Sequence, residues 1–516
     1  MGVSHLVRIT TAVRLTACAL AVTAVAVVFA TSAARVPYPY ENEWLEGGTL
    51  LHVHRILNGE EIYCQPSYAF VAYPYGPVYF YACAALSAII GLGFTPLRLV
   101  SLAASAGTVL LIFLLVKSRS RRLDVALIAA GLYAATYVLS GTWFEVARVD
   151  ALFLFFFIAA AFLLGTRSAR WPDVAAGLLL ALSCLTKQTL AVLAGPLMLW
   201  LAVEDWRRAL RVGATAAAAF AAGTALSMVA SDGWYWYYVV TLPSRHGLFD
   251  RSDLWFYLRF WWEDILRPLP ILALLVGALT VTRLVARQTR RAVMFELSLL
   301  VGALAVSWVG RLNVGFDNVL MPAYAGLAIV LGLGLGWLLG EGRVMGPRPV
   351  ALTVPVALGL VIAQLVALRF DPRQCLPSDA DRQAGQALVE KLADMPGEVV
   401  VSAHPYLLLL AGKPTHAHQA AFMTFLGGFG GGTDALGRAV LDEMAGDIAA
   451  KRYSAIILDG PSKPGASSWF VPLEGHYRLA GEVFDDPEVF MPVTGAPRQP
   501  RYILVPVSDP AAPPEP

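Results

Sequence analysis

Long apolar runs separated by short polar segments fill the first 370 residues of the chain. Such runs approach the roughly 20 residues that a helix needs to cross about 30 Å of hydrocarbon. Inside a bilayer the backbone must satisfy its own hydrogen bonds, so the runs are predicted to be helical. The pattern therefore predicts a mainly α, polytopic membrane bundle of about eleven transmembrane helices, near residues 12–31, 96–116, 123–141, 150–166, 173–186, 189–203, 212–231, 268–286, 293–310, 319–340 and 350–369.

Two apolar stretches do not fit one crossing each. The stretch 77–94 is short for a membrane crossing. Counting it as one would move every later basic loop to the opposite side of the membrane. They are predicted to lie in the outer interface or to form a re-entrant helix, within a first outer loop at 32–95. Residues 172–203 are too many for one crossing and contain the polar tetrad Thr186–Thr189. They are predicted to form a short helical hairpin with the tetrad at its outer end.

The pattern changes after Arg369 to that of an ordinary soluble protein. Short β-branched runs alternate with helical stretches, which predicts an α/β domain over residues 371–507. The predicted strands are Glu398–Ser402, Ala455–Leu458 and Tyr502–Val507, and the predicted helices are Asp379–Ala393 and Asp434–Lys451. Residues 508–516 are rich in proline and are predicted to be a disordered tail.

Basic residues cluster in alternate loops between the apolar runs, at 117–122, 167–170, 207–211, 283–291 and 343–348. The positive-inside rule places these loops in the cytoplasm, and the N-terminus with them. An odd number of crossings then places the C-terminal domain on the extracytoplasmic side.

Composition supports a membrane protein and argues against one class of partner. Of the 516 residues, 57% are hydrophobic and 15% are charged, whereas soluble domains carry about 25% charged residues. The formal net charge of +2 gives no electrostatic case for binding nucleic acid. The five cysteines have neither CxxC nor zinc spacing, so we interpret them as packing residues.

Carboxylates concentrate in the first outer loop. Apolar residues recur at helical spacing from Leu50 to Leu57, which predicts an amphipathic helix on the membrane surface. If the helix begins near Glu43, then Glu43 and Glu46 share one face, where one carboxylate can raise the pKa of the other toward the range of a general base. A solvated loop is the alternative interpretation for these acids and for Glu41.

Other charged residues at the predicted outer edge have a functional and a simpler interpretation, because ionisable groups are costly there. Asp150 begins an apolar helix, where it could also compensate the helix dipole. Lys187, between two apolar half-helices, could bind a buried anion or remain solvated. Candidates for phosphate binding, which could equally contact lipid headgroups, are Arg148, Arg245, His246 and Arg311, and Gln188 beside Lys187 is a further substrate-binding candidate.

The order of several motifs resembles one known superfamily. The segments are "EGGTLLHVHRILNGEEIY", "YPYGPVYFYACAAL", "ARVDALFLFFF", "GLLLALSCLTKQT" and "FDNVLMPAYAGLAI". Between about residues 12 and 340 the chain resembles the GT-C membrane glycosyltransferases. It is most similar to bacterial members related to protein mannosyltransferases and to the aminoarabinose transferases of lipid A.

The resemblance implies transfer of a sugar from a polyprenyl-phosphate donor to an acceptor hydroxyl of an envelope glycan, lipid or protein, at the outer side of the bacterial inner (plasma) membrane. It implies that Glu46 is the first-loop acid, with Glu43 the next best match. We predict that Glu46 is the base that takes the proton from the acceptor hydroxyl, and that the nearby Glu43 raises its pKa. Asp150 matches the acid of the second outer loop, and Lys187 matches a lysine at the outer end of the hairpin. No metal constellation is evident, although Glu46 and Asp150 could share a divalent cation, as in some relatives.

The residues support the same chemistry without the resemblance. An acceptor hydroxyl needs a carboxylate base, and the departing lipid phosphate needs cations. A transporter or lipid flippase could line a pathway with the same charges, although the chain shows no inverted repeat of spans. A third interpretation is a non-catalytic scaffold whose outer domain binds envelope partners. We predict a glycosyltransferase.

Overall fold

The computed structural model describes residues 3–245, 253–286, 290–313, 315–340, 347–428, 433–460 and 470–507. The predicted disordered tail, residues 508–516, and the candidate His246 lie outside the described residues. Helices form the first part of the chain, and a small sheet with flanking helices forms the last part.

The predicted apolar runs form helices, and short polar segments separate them. Between residues 3 and 245 these are α1 (Val3–Arg35), α2 (Glu46–Leu57), α3 (Val78–Ile90), α4 (Phe94–Ser120), α5 (Leu123–Ala135), α6 (Asp150–Thr166), α7 (Arg170–Thr186), α8 (Leu190–Glu204), α9 (Trp206–Val229), α10 (Trp234–Trp236) and α11 (Leu242–Ser244), with π-helical Tyr237–Thr241 between the last two. There follow α12 (Leu254–Arg259), π-helical Phe260–Leu266, α13 (Pro270–Val285), α14 (Arg290–Leu312), a 3-10 turn at Asp317–Leu320, α15 (Met321–Gly340) and α16 (Pro347–Ala367). Each of the eleven predicted crossings coincides with a helix, and the predicted hairpin is α7 and α8.

Fewer of the helices meet the length and hydropathy of a full membrane crossing than the sequence predicts. Among the described residues, five helices are long and apolar enough to cross a membrane, or up to seven if each of two bent pairs is one span. Several predicted spans are short, for example α5 with 13 residues and α8 with 15. The mainly helical membrane class is therefore confirmed, whereas eleven crossings stay a prediction.

Helix α15 is the centre of the bundle. It is buried from Met321 to Leu338 and packs against α4, α5, α13 and α14. Glycine permits the close approach, since a Cβ at Gly332 would lie 2.7 Å from the Cβ of Ala129 in α5. By contrast, α1 and α9 leave most of their apolar surface uncovered by protein, as expected of helices that face lipid.

The C-terminal part is an α/β unit, as predicted. Its elements are α17 (Asp379–Asp394), β1 (Glu398–Val401), α18 (Tyr406–Leu410), α19 (Gln419–Phe425), α20 (Ala435–Ala449), β2 (Tyr453–Gly460), β3 (Tyr477–Glu482) and β4 (Gln499–Pro506). The sheet order is β1-β2-β4-β3, with β1 and β2 parallel and β4 antiparallel to both of its neighbours. The sequence did not predict β3, because this edge strand buries only Tyr477 and has no β-branched run.

The predicted amphipathic helix is α2, but protein surrounds its first two turns. Every residue from Glu46 to Val53 is buried. His52 lies against the rings of Tyr73 and Phe80, with centroid distances of 5.2 and 4.5 Å. The spacing located the helix correctly, but the prediction of a helix lying on the membrane surface is wrong for these two turns.

The C-terminal unit packs directly on the first loop, residues 36–93. Glu43 forms an isolated parallel bridge with Thr494. The backbone N–H of Ala417 donates to the carbonyl of Tyr68 at 2.8 Å. The unit therefore forms one wall of the space above the ends of the bundle helices.

Candidate active site

A cavity of about 400 Å³ lies between the helical bundle, the first loop and the C-terminal unit. Aromatic rings and three cationic side chains dominate its lining, and no described carboxylate lines it. The lining residues are Trp44, Leu45, Tyr73, Pro74 and Tyr75 of the first loop; Trp143, Arg148, Lys187, Asn313, Gly315, Phe316, Asn318 and Val319 of the bundle and its loops; and Ala420, Met423, Thr424 and Arg498 of the C-terminal unit.

A smaller chamber of about 170 Å³ adjoins this cavity. Lys187, Asn313 and Asn318 line both spaces. Asp150 reaches the chamber from the first turn of α6, and apolar side chains such as that of Phe153 form much of the remaining wall. Both spaces are thus lined mainly by apolar surface, with Lys187, Asn313 and Asn318 among the polar groups that they share.

Asp150 and Lys187 form a direct ion pair. The Lys187 Nζ donates to Asp150 Oδ1 at 2.6 Å, and the two side chains are 14% and 5% exposed. The pair forms because α6 begins, and α7 ends, at the same end of the bundle. Lys187 is therefore not freely solvated, and Asp150 pairs with it in addition to lying at the N-terminus of α6.

Arg148 is a buried cation with unused donors. Its Nη2 donates to the hydroxyl of Tyr75 at 3.1 Å, and its guanidinium lies 4.9 Å from the ring centroid of Tyr73. Among the described residues, Nε and Nη1 have no hydrogen-bond partner. Because buried polar groups are almost always hydrogen-bonded, these two donors indicate a site for an anion.

Glu46, the best match to the first-loop acid, is held by an arginine. Its side chain is fully buried, and Arg98 donates to both carboxylate oxygens, at 2.6 and 3.0 Å. The backbone N–H groups of Ala147 and Asn42 add two more bonds at 2.7 Å. Burial opposes ionisation, but Arg98 and these donors hold the pKa of Glu46 below its ordinary value. The predicted rise in the pKa of Glu46 is therefore wrong, and Glu46 lines neither space.

The expected rise in pKa occurs instead at Glu43. Burial raises the pKa of this carboxyl well above its ordinary range, although nearby Arg148 opposes the shift. Its Oε2 accepts from the backbone N–H of Leu45 at 3.0 Å, and its Oε1 has no hydrogen-bond partner among the described residues. Glu43 directly precedes Trp44 and Leu45, which line the cavity, but like Glu46 it lines neither space itself.

The remaining predicted residues are engaged by protein partners and line neither space. Gln188 donates to the carbonyls of Pro74 and Val239, at 2.8 and 3.1 Å. Arg311 is paired with Asp264 and Asp317, and Arg245 with Asp434. The structure thus brings Arg148, Asp150 and Lys187 together and leaves Gln188, Arg245 and Arg311 in supporting contacts.

Two arginines were not recognised in the sequence. Arg98 is a lone cation in the apolar run 96–116, and a charge at such a position is itself a sign of a buried partner. Arg498 carries no comparable signal, because its place at the cavity depends on how the C-terminal unit docks.

The described residues contain no group of three or more His, Cys, Asp or Glu side chains arranged to hold a metal ion. Glu46 and Asp150, which could share a divalent cation on the sequence evidence, are each paired with a separate cation in this structure.

Comparisons with known proteins agree with this architecture. The family model described as dolichyl-phosphate-mannose-protein mannosyltransferase matches residues 74–236. No curated protein sequence gives a significant match.

Solved structures with the same fold are membrane glycosyltransferases. ArnT from Cupriavidus metallidurans bound to undecaprenyl phosphate has a TM-score of 0.57 at 15% identity, over 94% of this chain and 97% of that one. The Archaeoglobus fulgidus oligosaccharyltransferase in complex with Zn and sulfate has a TM-score of 0.54 at 12% identity, over 85% of this chain and 67% of that one. The chain thus has the fold of the GT-C membrane glycosyltransferases, and the resemblance indicated by its motif order is confirmed.

Proposed function

We propose that the chain transfers a sugar from a polyprenyl-phosphate donor to an acceptor hydroxyl of the envelope, on the extracytoplasmic side of the bacterial inner membrane. The observation that supports this most is the presence of two cations with little solvent exposure, Arg148 and Lys187, at one cavity. The apolar chamber beside them suits the first part of a lipid chain. ArnT, which shares the fold, was solved with undecaprenyl phosphate bound. The likeness to transferases does not favour a transporter or flippase.

The cations have a defined task in this reaction. When the bond between the sugar and the lipid phosphate breaks, negative charge builds up on the departing phosphate. The free donors of Arg148 and the ammonium group of Lys187 stabilise that charge in a site with little water. Asp150 orients Lys187 through the 2.6 Å ion pair, so Asp150 is a positioning residue.

Of Glu43 and Glu46, Glu43 has the environment that better suits a base, and it adjoins Trp44 and Leu45 of the cavity lining. The acceptor oxygen bonds to the anomeric carbon, the bond to the phosphate breaks, and the hydroxyl proton passes to the base. Glu43 has no ion-pair partner among the described residues and keeps one unbonded oxygen. A raised pKa brings a carboxyl closer to the working range of a general base. In this scheme Glu46 holds the first loop through Arg98.

The test is binding of undecaprenyl phosphate to the full-length chain in nanodiscs, followed by native mass spectrometry. Arg148→Gln should weaken binding by about tenfold or more, because a charge-assisted hydrogen bond is lost. The double variant Asp150→Asn/Lys187→Met should do the same without leaving a buried carboxylate unpaired. Arg478→Gln, an exposed change on β3, is the matched control. Folded variants that bind the lipid as the wild type does would contradict the proposal.

A further inference from the structure

Arg498 brings a third cation to the cavity, from the C-terminal unit rather than from the bundle. The guanidinium lies 4.4 Å from the ring centroid of Trp44 in the first loop, and Nη1 donates to Gln419 Oε1 at 3.2 Å. The side chain is 31% exposed. It is therefore held in a defined orientation while part of it remains open to the cavity.

The protein only partly satisfies this arginine. Its acidic neighbour is Asp459, at 3.7 Å from Nη1, which is too long for a good hydrogen bond. Asp459 also faces the imidazole of His404 at 3.6 Å. Among the described residues, Arg498 thus makes one side-chain hydrogen bond, to Gln419, and most of its N–H donors remain for a ligand.

Arg498 lies apart from the two cations assigned to the lipid phosphate. Arg148 and the ion-paired Lys187, on the bundle side, hold that phosphate beside the chamber. Arg498 belongs to the C-terminal unit, and none of the described residues that line this cavity is acidic. A neutral sugar would leave most donors of Arg498 without a charged hydrogen-bond partner, since Asp459 approaches only to 3.7 Å, so the cavity favours a ligand with a second negative group.

We propose that the substrate carries an anionic group in addition to the lipid-linked phosphate, and that Arg498 binds it. The group is a carboxylate or phosphate on the transferred sugar or on the acceptor. The inference rests on the proposed function in taking the first anion to be the donor phosphate. It makes the C-terminal unit a determinant of substrate specificity.

The test uses thermal unfolding of the full-length chain in nanodiscs loaded with undecaprenyl phosphate. Glucuronate and glucose 6-phosphate are the anionic probes, and glucose is the neutral match. The anionic probes should raise the unfolding temperature beyond the rise from the lipid, and glucose should not. Arg498→Gln should weaken the anion effect by about tenfold or more in apparent affinity while retaining the effect of the lipid. Arg498→Lys should retain part of it, and Arg478→Gln all of it.

Two synthetic donors assign the group to the sugar or to the acceptor. If the sugar carries the charge, polyprenyl-phosphate glucuronate should bind more tightly than polyprenyl-phosphate glucose, and Arg498→Gln should remove the difference. If the acceptor carries it, the two donors should bind equally, while soluble anions still stabilise the donor-loaded chain.

Two results would overturn the inference: equal stabilisation by glucose and by the anions, or an equal loss of lipid and anion effects in Arg498→Gln. The second would make Arg498 part of the first phosphate site. Failure of the proposed function gives a different result. The lipid would then have no effect, whereas the anions alone would still stabilise the wild type more than Arg498→Gln.

Discussion

Glu43 and Glu46 lie three residues apart and occupy opposite electrostatic environments. Glu46 is surrounded by Arg98 and two backbone donors, which favour its charged form. Glu43 is equally buried but has a single backbone donor, so its charged form is less favoured and its pKa is raised. One carboxyl group is fixed as a permanent anion, and the other can exchange a proton.

This difference predicts different defects for two matched variants. Glu46→Gln leaves the buried Arg98 unpaired, which should cost about 3–5 kcal/mol of stability. Glu43→Gln should change the unfolding temperature far less, because Glu43 has no ion-pair partner among the described residues to lose. It should slow transfer by about 100-fold to 10,000-fold, the usual contribution of a general base.

Thermal unfolding and transfer rate, measured on the same preparations, separate the two effects. Arg98→Gln is the control, since it breaks the same pair from the other side and should lower the unfolding temperature in the same way. A Glu46→Gln variant that unfolds like the wild type but has lost transfer would return the role of base to Glu46.

Among the individual residues, the sequence predicted the charged groups of the bundle side of the candidate site but not those of the C-terminal unit. Arg148, Asp150 and Lys187 could be found because charge at a membrane edge is costly and therefore conspicuous. The sequence could not choose between Glu43 and Glu46, because the choice depends on which of them Arg98 reaches. Arg498 could not be found, because an arginine in an ordinary soluble domain carries no such cost.

A buried pair joins the first loop to the C-terminal unit. His404, between β1 and α18, has its Nδ1 2.5 Å from Oε2 of Glu41. Burial opposes the charged imidazole, but Glu41 and Asp459 outweigh it and raise the pKa of His404 to about 10. The charged imidazole therefore helps to hold the unit on the loop.

The pair predicts a fall in stability at high pH. A pKa raised from 6.5 to about 10 in the folded chain contributes stability that is complete below about pH 6.5 and is lost as the pH rises toward 10. The raised pKa of Glu41, about 7, acts in the same direction at lower pH. Thermal unfolding between pH 6.5 and 10 should show a steeper fall for the wild type than for His404→Gln.

The matched control is His476→Gln. His476 lies directly before β3, and its ring forms no ion pair with a described residue. Its stability should depend on pH as that of the wild type does. An identical slope in His404→Gln and the wild type would show that the imidazole is neutral in the folded chain.

The helices and strands were predicted better than the packing of other segments against them. Each apolar run became a helix because hydrophobic length and backbone bonding leave few alternatives. The spacing also located α2, but no pattern within one segment could show that Tyr73 and Phe80 cover it. Strand β3 was missed because its stability comes from pairing with β4 and not from its own composition.

For the whole molecule, the alternation of basic loops predicts that the cavity and the C-terminal unit face outward. Single cysteines at the exposed positions Arg121 and Glu443, in a background without the five native cysteines, test this. A membrane-impermeant maleimide on intact cells should label Glu443→Cys but not Arg121→Cys, and permeabilised cells should label both. Labelling of Arg121→Cys alone on intact cells would reverse the orientation.

How the C-terminal unit packs on the rest of the chain could not be predicted from the sequence. Basic loops carry information about sides of the membrane, but not about which loop the C-terminal unit covers. That contact depends on long-range hydrogen bonds such as the one from Arg35 Nη2 to the hydroxyl of Thr494, at 2.6 Å. Neither residue stands out in its own segment.

Arg35 and Thr494 are 459 positions apart along the chain, and Arg498 follows only four residues later. The helical bundle can therefore enter the membrane before the stretch that carries Thr494 and Arg498 leaves the ribosome. On the proposed function, a copy cleaved before Thr494 could hold the lipid carrier but would lack the wall that positions the rest of the substrate, so proteolysis there would separate carrier binding from transfer.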